Sequence, residues 1–186
     1  MVKKLKHKRI IPLLVFVNII IATFIFFIHS IAKENPNINE GQVYSTWETL
    51  ELDKCASAWL IKRFVDKNAQ FQFFPNGTFI KEGIPFDTPT GELSRDARAA
   101  TFGKILQKYK LKNSVLEDIN KIVWDVEVNK WEKKVTDEAI GLSAVINGLI
   151  LISKDGQECF EKSFIVFDAL YAHLKARRQV SGMKNE

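Results

Sequence analysis

Apolar residues divide the chain into one unbroken N-terminal run and a longer stretch in which apolar and polar positions are interleaved. The run extends from Ile10 to Ile28 and contains no charged residue. A helix of this length is about 28 Å long, which is enough to cross the hydrocarbon core of a bilayer. Lysine and arginine are concentrated in the nine residues before the run. We therefore expect the N-terminus to remain in the cytoplasm and everything after Ala32 to lie outside.

Residues 1–32 have two competing interpretations. A cleaved signal peptide needs an apolar stretch of roughly 7–15 residues followed by small residues, and Ser30-Ile31-Ala32 supplies that exit. The apolar run is longer than a signal peptide needs, which favours an uncleaved anchor. The chain is thus expected to contact the membrane through residues 10–31. It is predicted to be a single-pass membrane protein or, if cut after Ala32, an exported one.

The interleaved stretch predicts a mainly α-helical, α+β domain with a few short strands at one end. A polar linker is expected at residues 33–44, the domain at 45–178 and a tail at 179–186. Strands are predicted at 46–50 and 70–74. Five helices are predicted. The first spans 53–65 with Asp53 as its N-cap, the second begins at Thr101, and the third begins at a capping box, Ser114–Glu117. The last two span 139–152 and 158–176. Segment 139–152 is almost wholly apolar, so we expect it to be the central core helix.

Charge and cysteine content narrow the classes of function. The chain carries 27 Lys+Arg and 22 Asp+Glu, a formal charge of +5, and the whole excess lies in the first nine residues. The remainder is neutral and lacks the basic surface of a nucleic-acid binder, so we expect no nucleic-acid partner. Cys55 and Cys159 would meet an oxidising compartment, where a disulfide and two buried thiols are both open interpretations. The spacing of Cys and His residues matches no zinc site.

Six motifs, all in order along the chain, resemble those of the chromate-resistance family defined by the ChrB C-terminal domain. The longest is Asp53–Asp66, which is similar to the family pattern D-R-x-A-(C/S)-x-W-L-I-R-R-F-(I/V)-D. The others are Pro85–Asp87, Glu92–Ser94, Thr101–Phe102, Ile122–Glu127 and Phe167–Ala172. The resemblance covers roughly residues 46–175. It implies a role linked to bacterial chromate resistance and, given the N-terminal apolar run, an exported accessory protein rather than a regulator.

The chain departs from the family pattern at positions where other members carry metal-binding side chains. The resemblance implies His after the E-L-S stretch, Cys before Thr101 and His in the I-V-H-D motif; this chain has Arg95, Ala100 and Trp124. A transition-metal site built from His and Cys is therefore not expected. Glu92, Asp125 and Glu127 remain as oxygen donors for a hard cation.

Five residues are the candidate ligand-binding positions: Arg63, Glu92, Arg95, Asp125 and Glu127. Arg63 lies on the apolar stripe of the first domain helix, so we expect Glu92 or Asp125 to be its ion-pair partner. The alternative is that Arg63 and Arg95 bind an oxyanion through planar, bidentate donors. Asp125 and Glu127 are two residues apart and would face different sides of a helix, as solvated carboxylates do.

Two hypotheses of function follow from these patterns. The first is a non-catalytic, membrane-attached domain that binds a small oxyanion, a cation or a protein partner. The second is an enzyme in which Glu92, Asp125 and Glu127 hold a metal around a cleft. The sequence contains no complete set of catalytic residues and points to no particular cofactor.

Overall fold

The computed structural model describes residues 41–89 and 91–183 of the chain. These residues form five α-helices and one small sheet, which confirms the predicted, mainly helical fold class. The predicted anchor and most of the predicted linker lie outside the described residues. Among the described helices, none combines the length and the apolar character that crossing a bilayer requires.

The sheet has three parallel strands in the order β2-β1-β3. Strand β1 spans Val43–Trp47, β2 spans Gln70–Phe74 and β3 spans Ile84–Pro85. The predicted position of β2 is confirmed. Strand β1 begins three residues before its predicted start. It pairs with a strand on each side, and its middle, including the polar residues Ser45 and Thr46, is buried. Polar residues in a central strand conceal its burial from a hydropathy pattern.

The first helix, α1, spans Leu52–Leu60 and continues as a π-helical turn over Ile61–Val65. Every residue of Leu52–Leu60 is buried, so α1 is the central helix of the domain. Glu51 is its N-cap residue, and the prediction that Asp53 caps this helix is wrong. The Asp53 carboxylate instead accepts hydrogen bonds from backbone N–H groups at the start of the next helix.

Four further helices surround α1. They are α2 at Thr101–Lys108, α3 at Ser114–Glu127, α4 at Glu138–Ile152 and α5 at Gly156–Met183. The predicted capping box of α3 is wrong. The helix is capped by Asn113, whose side-chain oxygen accepts from the N–H groups of Val115 and Leu116 at 2.9 and 3.3 Å.

Helix α4 is not the core helix that its composition predicts. Only Ala139, Leu142 and Ile146 are buried, because α4 packs against α3 and α5 with one face and leaves the other uncovered. The two cysteines lie where α1 packs on α5. Cys55 and Cys159 are both buried and both free, and Cys159 Sγ lies 3.9 Å from the Ser163 hydroxyl.

Candidate functional site

A cavity of about 650 Å³ opens where the three parallel strands end. Its walls include Thr49 and Glu51 after β1, Asn76 after β2, and Asp87 and Thr88 after β3. In sheets of this kind, ligands bind in the crevice outside the carboxyl ends of the strands. The crevice forms because β1 is the central strand. The chain passes from β1 to β2 on one side of it and later adds β3 on its other side.

Arg95 lies at the centre of the charged groups in this cavity. Its Nη1 donates to Glu127 Oε2 at 2.9 Å, and its Nη2 donates to Asp87 Oδ1 at 3.3 Å. Nη2 also forms an ion pair with Glu51, and Nε lies 3.9 Å from Asp53 Oδ2. One guanidinium therefore joins the start of α1, the loop after β3 and the end of α3.

The carboxylates around Arg95 differ greatly in exposure. The side chains of Asp53, Asp87 and Glu127 are 0%, 1% and 8% exposed, whereas that of Glu51 is 37% exposed. The three buried carboxylates therefore contact the Arg95 guanidinium on the side that faces the protein interior. Glu51 faces solvent, and within the described part of the chain its carboxylate has Arg95 as its sole charged partner.

Asp53 joins the first turn of α1 to the first turn of α2. Its carboxylate accepts from the backbone N–H groups of Thr101 and Phe102 at 2.7 and 2.9 Å, and from the Ser57 hydroxyl at 3.2 Å. Burial and the nearby charge of Asp87 raise the pKa of Asp53 to about 8, against the opposing effect of the two N–H groups. Asp53 is therefore harder to ionise than an exposed aspartate.

Asp87 is the second buried acid, and its backbone lies in the left-handed region with φ of 49°. Burial raises the pKa of Asp87, while a hydrogen bond of 2.6 Å from the Thr101 hydroxyl acts in the opposite direction. Few non-glycine residues adopt this conformation, although aspartate tolerates it better than most. The turn directs the following residue, Thr88, into the cavity wall.

Lys54 supplies a second positive charge to the cavity wall. Its Nζ donates to the carbonyl oxygens of Trp47 and Thr49 and lies 4.0 Å from Asp87 Oδ2. Burial lowers the pKa of Lys54, because the charged form loses its hydration. The lysine fixes the segment that follows β1 and keeps an ammonium group at the cavity.

The hydroxyl of Thr88 is buried and has no hydrogen-bond partner among residues 41–89 and 91–183. Its own carbonyl accepts from the Ser94 hydroxyl, so the backbone around it is satisfied. A buried polar group without a partner costs about 1–3 kcal/mol. A hydroxyl retained at that cost in a cavity wall is a feature of sites in which a ligand provides the missing partner.

The structure gives Arg63 a partner other than those predicted. Its Nε donates to Asp168 Oδ1 at 3.0 Å and its Nη2 to Asp168 Oδ2 at 2.8 Å, with the guanidinium 5.5 Å from the centre of the Phe164 ring. Asp168 also accepts from Trp59 Nε1 at 2.7 Å. The expected pairing with Glu92 or Asp125 is therefore wrong: Arg63 ties the π-helical turn to α5.

The remaining candidates do not converge on one point. Glu92 is exposed and paired with Lys108. Asp125 is buried and accepts from Asn129 Nδ2 at 2.7 Å and from the N–H and hydroxyl of Thr136 at 2.9 and 2.8 Å. Burial would raise the pKa of Asp125, but these hydrogen bonds and one from the Val135 N–H hold it below its usual range. Asp125 therefore fastens the loop between α3 and α4.

Of the five candidates, Arg95 and Glu127 are brought together. Across residues 41–89 and 91–183, no cluster of three or more His, Cys, Asp or Glu side chains has the arrangement of a metal site. Sequence reasoning missed five residues at or beside the cavity. Four of them, Glu51, Lys54, Asp87 and Thr88, line the cavity, and the fifth, Asp53, is buried 3.9 Å from Arg95 Nε. Their common signal is position, since each lies at or shortly after the carboxyl end of a strand.

The fold and the cavity define a small α+β domain in which parallel strand ends surround an arginine held by buried acids. The chain belongs to the ChrB C-terminal domain family, whose model, described as "ChrB, C-terminal domain", matches residues 44–174. It is similar to Protein ChrB of Cupriavidus metallidurans strain CH34, with 23% identity over 152 residues. That alignment covers 81% of this chain but 46% of the relative, so the chain spans less than half of that protein's length. No solved structure matches the chain.

Proposed function

We propose that this protein is a membrane-attached accessory domain that binds a small oxyanion at Arg95 without catalysing a reaction on it. The apolar segment Ile10–Ile28 supports membrane attachment, with the domain outside the cytoplasm. Family membership and similarity to ChrB chromate-resistance proteins support an oxyanion such as chromate as the ligand class. The observation that carries the proposal is that Arg95 bears one exposed carboxylate, Glu51, on its solvent side.

Binding proceeds by exchange of one anionic group for another. The Glu51 carboxylate occupies a position in which the guanidinium already binds an anionic oxygen. An incoming oxyanion takes that position when Glu51 turns toward solvent. Thr88 then gains an acceptor for its unpartnered hydroxyl, and Lys54 lies in the same wall. Charge-assisted hydrogen bonds from a guanidinium suit the oxygens of a tetrahedral anion.

An oxyanion is favoured over a cation because of how the charges are anchored. A cation would have to replace the Arg95 guanidinium between the carboxylates. Glu127 and Asp87 bind that guanidinium on its buried side. An oxyanion needs only the position of the exposed Glu51.

Calorimetric titration of the full chain in detergent tests the proposal. The titrants are sulfate, which is redox-inert, chromate and, separately, magnesium and nickel ions. We expect heat from the two oxyanions, and we expect Arg95→Gln to abolish it. Arg177→Gln is the matched control, since Arg177 pairs with the partly exposed Glu138 outside the cavity. Oxyanion binding that survives Arg95→Gln, or binding of the metal ions alone, would contradict the proposal.

A further inference from the structure

Helix α4 presents a face that is exposed and carries no charge. No Asp, Glu, Lys or Arg occurs between Ala139 and Ile152. The buried contacts of α4 are on one side. The exposed residues of the helix are Ile140, Gly141, Ala144, Val145, Asn147, Leu151 and Ile152. Ile140, Leu151 and Ile152 are 70%, 85% and 69% exposed, so large aliphatic side chains cover both ends of this face.

The loop that leads into α4 exposes apolar residues as well. Trp131 is 95% exposed and Val135 is 71% exposed. In the sequence Trp131 lies between Lys130 and Glu132, and Lys133 and Lys134 follow. A tryptophan beside lysines is the combination found at membrane–water interfaces, where the indole lies at the level of the headgroups. Contiguous exposed apolar surface of this kind marks an interaction site.

We propose that this face of α4 lies against the outer surface of the membrane in which the chain is anchored. The inference rests on the membrane attachment proposed above. The chain between Ile28 and Val43 is short. Even fully extended, it reaches at most about 50 Å, which keeps the domain beside the bilayer. The tether thus makes the lipid surface a permanent neighbour of an apolar face that the domain itself leaves uncovered.

A second copy of the chain fits this face less well. A helix of this length is about 22 Å long and about 10 Å wide, so a stable dimer would need contacts beyond the single face of α4. Specific protein interfaces bury about 800 Å² on each partner. A lipid surface has no such requirement, because weak apolar contact adds to the anchoring that the tether already provides.

Spin labelling of the full chain in liposomes of phosphatidylethanolamine and phosphatidylglycerol tests the proposal. Cys55 and Cys159 are buried, so a nitroxide reagent is directed to an introduced cysteine. The test variant is Val145→Cys on the exposed face, and the control is Lys81→Cys in the exposed loop before β3. We expect the label at position 145 to be several-fold more accessible to oxygen than to a water-soluble nickel complex. The label at position 81 is expected to show the opposite ratio.

Each result distinguishes the α4 proposal from the proposed anchoring. Extraction of the same liposomes with alkaline carbonate reports anchoring independently. If the chain resists extraction but the label at position 145 is more accessible to the nickel complex than to oxygen, the α4 proposal is overturned and the anchoring stands. Strong spin–spin broadening at position 145 identifies a second copy as the occupant and likewise overturns it. A chain that is extracted and carries an aqueous label overturns both.

Discussion

At the scale of single residues, several unfavourable interactions meet at the cavity. Asp53 and Asp87 are buried close enough to raise each other's cost of ionisation, and Asp87 has a left-handed backbone. Thr88 keeps a buried hydroxyl without a partner. Each feature reduces stability. Their occurrence together around Arg95 supports the proposal that the cavity binds a ligand.

Replacing Thr88 with valine tests whether its hydroxyl serves a ligand. Valine has nearly the same shape and removes the unsatisfied group, so we expect the free energy of unfolding to rise by about 1 kcal/mol. The oxyanion loses a hydrogen bond, so we expect sulfate affinity to fall about tenfold, as a lost charge-assisted bond predicts. Urea unfolding and calorimetric titration measure the two effects.

Thr46 provides the matched control for this experiment. Its hydroxyl is also buried and unpartnered, but Thr46 is in strand β1 and does not line the cavity. Thr46→Val is expected to gain similar stability and leave sulfate affinity unchanged. Equal losses of affinity in both variants would show that the Thr88 hydroxyl has no specific role in binding.

At the scale of elements, the most hydrophobic helix of the domain is not the most buried one. Helix α4 is almost wholly apolar yet half exposed, whereas α1 contains Asp53, Lys54 and Ser57 and is buried throughout. The polar side chains of α1 are tolerated because each has partners, among them the N–H groups of α2. Hydropathy reports the preference of a residue for burial, but the partners that satisfy a polar group come from distant parts of the chain.

The glycines of α4 give an element-scale prediction. A methyl group added at Gly141 or Gly148 meets nothing within 4 Å. Alanine lowers the conformational entropy of the unfolded chain, so we expect each Gly→Ala substitution to add about 0.5–1 kcal/mol to the free energy of unfolding. At Gly103 in α2, the added methyl would lie 2.8 Å from Asn120 Oδ1. Because the Asn120 side chain must shift, Gly103→Ala should gain less stability than the two α4 variants, and thermal unfolding compares the three variants. Destabilisation at 141 or 148 would contradict the exposed position of this face.

At the scale of the whole molecule, local periodicity predicted the helices well and the site poorly. The last helix, predicted at 158–176, was found because its apolar residues repeat at helical spacing within one element, and Phe160, Phe164, Phe167 and Leu174 are buried in α5. Arg95 was among the candidate ligand-binding residues, but of its four acidic partners only Glu127 was. Glu51 and Asp87 meet Arg95 only because the strand order brings the ends of β1 and β3 together. That order is a long-range property which no local pattern contains.

The competition between Glu51 and the ligand is the central claim, and the sulfate affinity of Glu51→Gln tests it most directly. Glutamine keeps the size of the side chain but removes the negative charge that occupies the solvent side of Arg95. The Glu51 side chain does not cap α1, so the fold should be unaffected. Calorimetric titration of the full chain in detergent is expected to show sulfate binding several-fold tighter than in the wild type. An unchanged or weaker affinity would contradict the exchange of Glu51 for an oxyanion.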